Sequence, residues 1–265
     1  MSESLITNID KRGVASLVLN RPEKHNAFDG ILIQEITRFL TELDRNPLVR
    51  LLVITGNGKS FSSGADLSWM KAMVTYDLAT NKQDAYLLAD LMKQLKGFSK
   101  PIIAGVNGNA FGGAIGIIAC CDIAIASDQA KFCFSEVLLG IAPAVISPYV
   151  INAIGQHNAK RFFLTGELFF SSDALNMGLI HYTVPDSELE NTIENKINLL
   201  LKGGPIAQQE IKKLINQLSP IEDITTDYTV DLIARLRVSE EGQNGLNSFL
   251  EKQKPDWLIT EDNKN

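Results

Sequence analysis

Three cysteines and three histidines in 265 residues leave little material for disulfide or metal chemistry. Cys120 and Cys121 are adjacent, Cys133 follows in apolar surroundings, and His25, His157 and His181 are scattered. Neither set has ligand spacing, so no metal is expected. An odd number of cysteines with apolar flanks reads as reduced core packing in a cytoplasmic protein. Basic residues are not in excess: 25 Lys and Arg against 31 Asp and Glu give a formal charge of −6, which disfavours nucleic acid as a partner. No membrane span is expected either. The longest apolar stretch, Pro101 to Ala126, is interrupted by Asn107, Asn109, several glycines and Asp122, and reads as protein core. The opening MSESLITNIDKRG has no apolar signal segment, which keeps the expected location cytoplasmic. Nucleotide-binding glycine patterns fail too. Gly108 is followed by Asn109 and Ala110, which breaks a dinucleotide fingerprint, and Gly58-Lys59-Ser60 lacks the earlier glycine of a phosphate loop, because that position is Val53.

What the chain does have is a buried strand, a glycine-rich turn and a buried helix in one stretch, KPIIAGVNGNAFGGAIGIIACCD (100–122). Pro101 to Val106 is an apolar run with β-branched residues, as in a strand covered on both faces. Apolar patterning resumes at Ala114. A helix starting at Gly112–Gly113 would present unpaired N–H groups and a positive dipole end to whatever lies above it. The glycines allow close approach, so the turn suits a developing oxyanion. Taken alone, it reads equally well as a plain connection between two buried elements.

The rest of the chain alternates in the same manner. Ser4 to Ile9 and Gly13 to Asn20 predict a hairpin, and Arg21 to Asn26 a polar loop. Asp29 predicts the cap of a helix running to Asp44, and Leu51 to Thr55 a buried strand. A second glycine-rich loop, 56–67, leads into a polar helical stretch reaching Gly97, with Trp69, Met70 and Met73 at its start as pocket or packing residues. Strands are expected at Ile123 to Ala126, Lys131 to Phe134 and Ile180 to Val184, with helices at 144–154, 158–164 and 172–177. The order predicts an α/β fold with crossover connections over residues 1–188. From 189 to 265 only helices are expected: Leu189 to Leu201, Pro205 to Leu218 and Ile221 to Lys252. Such a tail suits packing on a neighbouring copy.

Four ordered segments carry a family resemblance: LNRPEKHNAF (19–28), FSSGADL (61–67), VNGNAFGGAIGIIACCDIAIA (106–126) and FSEVLLGIAP (134–143). The chain resembles the crotonase, or enoyl-CoA hydratase/isomerase, superfamily. FLEKQKPDW (249–257) is similar to that family's ending. The resemblance implies a crotonase-like spiral of ββα units with a C-terminal helical trimerisation region, assembled as a homotrimer or as a hexamer of two trimers. It implies an acyl-CoA thioester as substrate, no cofactor beyond the CoA which that substrate carries, and stabilisation of the thioester enolate by two backbone N–H groups. Carried over residue by residue, those donors are Ala65 and Gly113; losing one such donor costs roughly 10²–10³ in rate. Lys24, His25 and Ala27 match the CoA-binding loop, with Asp66 and Leu67 beside it, and Lys252 matches a lysine that reaches a CoA phosphate.

Typical hydratases of the family carry two glutamates. Here one position holds Gly116, and the other is kept as Glu136. A carboxylate within the apolar stretch Phe132 to Leu139 needs a purpose, and burial would raise its pKa toward the range useful for proton transfer. The segments FSSGADLSWMK and SEVLLGIAPAVISPYV further resemble bacterial methylglutaconyl-CoA and γ-carboxygeranoyl-CoA hydratases. That resemblance implies hydration of 3-methylglutaconyl-CoA in leucine breakdown, with Gly116 making room for the acid arm of the substrate. Lys71 and Arg161 are the candidate cations for that arm. A Δ3,Δ2-enoyl-CoA isomerase using Glu136 alone, and a non-catalytic CoA-binding scaffold, are the competing expectations.

Overall fold

Residues 51–54 and 102–106 are consecutive apolar residues, and the fold covers them on both faces. The structure, a computed structural model, describes residues 4–218 and 223–258. Strands β1 (Leu5–Ile9) and β2 (Val14–Leu19) form an antiparallel hairpin. Helix α1 (Gly30–Arg45) starts at Asp29, whose carboxylate accepts the Leu32 N–H at 2.8 Å.

Three ββα units follow. The first is β3 (Leu51–Gly56), β4 (Ser60–Ser62), then α2 (Leu67–Thr75) and α3 (Leu78–Gly97). The second is β5 (Ile102–Val106), β6 (Asn109–Phe111) and α4 (Gly113–Cys120). The third is β7 (Ile123–Ser127), β8 (Lys131–Cys133), a 3₁₀ turn over Ser135–Leu139 and α5 (Ser147–Thr165). In each unit the long strand joins a six-stranded sheet and the short one joins a second, four-stranded sheet. Then come β9 (Phe169–Phe170), which completes the small sheet, α6 (Ser171–Asn176), and β10 (Tyr182–Val184), which closes the large one. The large sheet is parallel apart from the first hairpin, in the order β1-β2-β3-β5-β7-β10. The crotonase-like spiral is therefore present.

The chain ends in α7 (Leu189–Leu201), α8 (Pro205–Leu218), α9 (Asp223–Val238) and α10 (Glu240–Leu250). Helix α7 covers the outer face of the large sheet, where Leu189 and Ile197 pack on Val53, Ile103 and Ile125. Two expected helices are each two. The 66–97 stretch breaks at Tyr76–Asp77, where Asp77 caps α3 through the Thr80 N–H. The stretch placed at 221–252 breaks at Ser239, which caps α10 through the Gly242 N–H; its start at Ile221 lies outside the described residues. Gly155 (φ 74°) interrupts α5 as a kink. Helices α9 and α10 also do more than the expected tail. Helix α9 packs along α3, and α10 packs on α2 and on the 135–139 turn.

Candidate active site

The small sheet sets the geometry. Strands β4, β6 and β8 run parallel and side by side, so their carboxyl ends share one edge. Ala65, Gly113 and Glu136 each follow one of those ends by two or three residues. The three units thus each deliver one group to the same place, the carboxyl-end crevice where open α/β sheets hold ligands.

Both backbone donors are left free by their local structure. Phe28 bridges the 64–66 loop: its N–H donates to Gly64 O and its C=O accepts from Asp66 N–H, both at 2.7 Å. Ala65 between them turns its own N–H away. Gly113 is the first residue of α4, where an N–H has no intrahelical acceptor. Among the described residues neither N–H has a protein partner. The two loops meet closely, since a Cβ on Gly64 (φ 88°) would sit 3.1 Å from Phe111 O.

Glu136 lies on the 3₁₀ turn that follows Phe134, whose ring stacks on Phe169, itself stacked on Phe132. Its Oε2 is buried without a hydrogen-bond partner. Burial pushes its carboxyl up to about 7, against a small opposing pull from its own backbone N–H. Its Oε1 would be 3.1 Å from a Cβ on Gly112, a residue at φ 53°. Gly112 therefore does two things: it supplies the backbone shape that starts α4, and it lets the carboxylate lie against that turn.

A cavity of 710 Å³ joins these groups. Lys24, His25, Ala27, Asp66 and Leu67 line it at the loop side, as the sequence places them. The loop is a wired assembly. Arg21 bonds Ala27 O, Asp29 and Asp66, while the buried Asn26 bonds Asn57 O and Ser60 O. Burial alone would raise the Asp66 carboxyl, but Lys24 at 2.9 Å, the Ser68 N–H and Arg21 outweigh it and hold the group low. His25 Nδ1 lies 3.2 Å from Ser60 Oγ. Lys252 is exposed and does not line the cavity, although its N–H bonds Phe249, which does.

Trp69 and Met70 line the cavity, as expected of pocket residues. Gly116 does not. A Cβ there would fall 2.8 Å from Ile146 Cβ and 3.0 Å from Met92 Sδ, so the space expected for an acid arm is filled by side chains. Ile146 itself faces the cavity. The two candidate cations are corrected as well. Lys71 is exposed and Arg161 pairs with Glu167 at 2.8 Å; neither reaches the cavity. The sequence reading missed Asp84 and Arg237, which do line it. Arg237 is largely buried and donates to Asp84 at 2.9 Å; Asp84 also accepts from Trp69 Nε1 at 2.8 Å. Arg237 sits in the last turn of α9 beside Arg235, so by sequence alone it reads as a solvated helix-end charge.

The family described as enoyl-CoA hydratase/isomerase matches residues 10–259. A solved enoyl-CoA hydratase from Shewanella pealeana is 46% identical, with 96% of each chain covered and a TM-score of 0.79. A mevalonyl-coenzyme A hydratase from Aspergillus fumigatus is 33% identical, covering 91% of this chain and 90% of that protein. A 2,3-dehydroadipyl-CoA hydratase from Escherichia coli is 30% identical, covering 97% of this chain and 99% of that protein.

Proposed function

Since the chain belongs to the enoyl-CoA hydratase/isomerase family, we propose that it hydrates 3-methylglutaconyl-CoA to 3-hydroxy-3-methylglutaryl-CoA. The observation that carries the hydration step is Glu136: a carboxylate with one unpartnered buried oxygen, pushed up to about 7, lying against the turn that presents the free Gly113 N–H. The Ala65 and Gly113 N–H groups receive the thioester oxygen and stabilise the charge that develops there. Glu136 takes a proton from water as the oxygen bonds to C3, and the C2–C3 π pair moves into the enolate. The same carboxylic acid then returns its proton to C2, and the thioester carbonyl re-forms. Water is consumed and no other reactant is needed. Lys24, His25 and Ala27 at the mouth receive the CoA end, with Asp66 orienting Lys24.

The test is the fall in conjugated-thioester absorbance with 3-methylglutaconyl-CoA, beside crotonyl-CoA as an unbranched control. Fast loss with the first supports the assignment. Preference for crotonyl-CoA returns the enzyme to general hydratases. One observation favours a second reading. Among the described residues that line the cavity, Glu136 is the carboxylate that lies against the Gly112–Gly113 turn, while Asp66 and Asp84 are paired with Lys24 and Arg237, and a double-bond shift needs only one shuttling base. Formation of conjugated thioester from a 3-enoyl-CoA, with no hydration of either substrate, would establish the isomerase.

We also propose self-association through α8, as a trimer or a hexamer. Ile211, Leu214, Ile215 and Leu218 form one exposed apolar stripe on that helix. Sedimentation is expected to give a mass of three or six times 29.1 kDa. Ile211→Asp combined with Leu214→Asp is expected to shift it to smaller species, and a 29.1 kDa wild-type species would reject the assembly.

A further inference from the structure

Among the described residues, six buried side-chain polar atoms have no hydrogen-bond partner, and two of them belong to residues that line the cavity. One is Glu136 Oε2. The other is Arg237 Nε. A buried donor left unmade is costly, so the Arg237 edge carries a demand that a ligand acceptor would meet.

The guanidinium is held rather than mobile. Its Nη1 donates to Asp84 Oδ2, while Asp84 Oδ1 is occupied by Trp69 Nε1. Three helices, α9, α3 and α2, thus fix the orientation of the group. Nη1 is committed; Nε is not. The Nε–Nη2 edge of a guanidinium is a planar pair of donors that matches a carboxylate. Charged groups elsewhere on the cavity wall do not compete. Lys24 and Asp66 pair with each other in the CoA loop, and Glu136 belongs to the chemistry. Arg237 is the one cation on the wall away from the loop, among the described residues.

Helix α3 links this pair to the oxyanion turn. Leu88 lies 3.6 Å from where a Cβ on Gly113 would sit. Asp84 is four residues earlier on the same face of α3, about 6 Å along the axis. The Asp84–Arg237 pair and the Gly113 donor thus line one cavity, with Leu88 between them on the α3 wall.

We propose that Arg237 is the specificity-determining residue of this enzyme, receiving a carboxylate at the far end of the acyl chain on its Nε–Nη2 edge, with Asp84 and Trp69 positioning it. The inference rests on the acyl-CoA reading above and deepens it by naming the residue that selects a dicarboxylic acyl group. One guanidinium then sits between two carboxylates, that of Asp84 and that of the substrate. An acyl chain ending in methyl leaves Nε unpaired and further desolvated.

The experiment is calorimetric titration of the full-length protein with glutaryl-CoA, butyryl-CoA and 4-hydroxybutyryl-CoA. These saturated esters require no turnover. Glutaryl-CoA is expected to bind about 10- to 150-fold tighter than butyryl-CoA, the range of a charge-assisted hydrogen bond. Arg237→Gln is expected to collapse that ratio toward one, and Arg237→Lys to keep part of it. Equal binding of glutaryl-CoA and butyryl-CoA to the wild-type chain overturns the proposal, whether or not the variants fold. Binding of 4-hydroxybutyryl-CoA as tight as that of glutaryl-CoA overturns the carboxylate assignment. Absence of hydration with tight glutaryl-CoA binding would defeat the hydratase reading and leave Arg237 in place; hydration without the preference would do the reverse.

Discussion

Glu136→Gln is expected to lower kcat for hydration by about 10²–10⁴, the usual contribution of a positioned acid–base group. The amide keeps the size and shape of the side chain, so CoA-ester binding is expected to persist. The pH profile is the sharper readout. The base form is needed first, and Glu136 sits near 7 because burial disfavours its charge. kcat/KM is therefore expected to rise about tenfold per pH unit below that value and to level off above it. A flat profile from pH 5 to 9, or a variant with full turnover, would remove Glu136 from the reaction.

The same burial has a cost in stability, with a definite sign. The carboxyl titrates at about 7 in the folded chain against an ordinary value of 4.5. Between those two values the folded state binds more protons than the unfolded state, so unfolding free energy falls as pH rises through this window. Below about pH 4.5 the group is neutral in both states and contributes no penalty. Above about pH 7 the penalty is complete, on the order of a few kcal/mol. Glu136→Gln is neutral throughout. It is expected to match the wild-type chain near pH 4 and to exceed it in urea melts at pH 8. One substitution would thus stabilise the protein and silence it, as expected where a strained group serves function rather than folding.

How much of this was legible depends on how local the cause is. The buried strands β3 and β5 are visible because their apolar runs are uninterrupted, and α1 because Asp29 stands as a cap just ahead of its apolar stripe. Strands β4 and β6 fall inside the glycine-rich loops of the sequence, and β9 has no sequence signal of its own. They are two or three residues long and exist because neighbours in the small sheet pair with them. Ala65, Gly113 and Glu136 come from the family resemblance, which short contiguous segments carry (61–67, 106–126 and 134–143). The Trp69–Asp84–Arg237 cluster has no such pattern. Asp84 and Arg237 are 153 positions apart, and only the packing of α9 along α3 brings them together. Gly116 failed for a related reason. A glycine in sequence says that a side chain is missing, and not what fills the place.

The Ile146 side chain fills it, and substitution at Gly116 is expected to show this with a large effect. Gly116 is buried in α4, three residues after the Gly113 donor. A methyl at 116 meets Ile146 Cβ at 2.8 Å and Met92 Sδ at 3.0 Å, on branched and packed neighbours rather than a loose chain end. Gly116→Ala is therefore expected to cost about 1–3 kcal/mol in urea melts through overpacking. Gly116→Glu adds a buried carboxylate without a partner and is expected to cost several kcal/mol more. Relief requires moving the start of α4, which displaces the Gly113 N–H, so kcat is expected to fall by about 10² or more, as when an oxyanion donor is lost. Ile146→Ala separates crowding from a general intolerance of the helix. Alone it opens a cavity and is expected to cost about 2–5 kcal/mol. With Gly116→Ala the two defects compensate, and the double variant is expected to be more stable than the sum of the single costs by about 1 kcal/mol or more. Additive costs would mean that Ile146 does not occupy the space at 116. A Gly116→Glu chain of wild-type stability and undiminished turnover of 3-methylglutaconyl-CoA would mean that the pocket has room for both carboxylates after all.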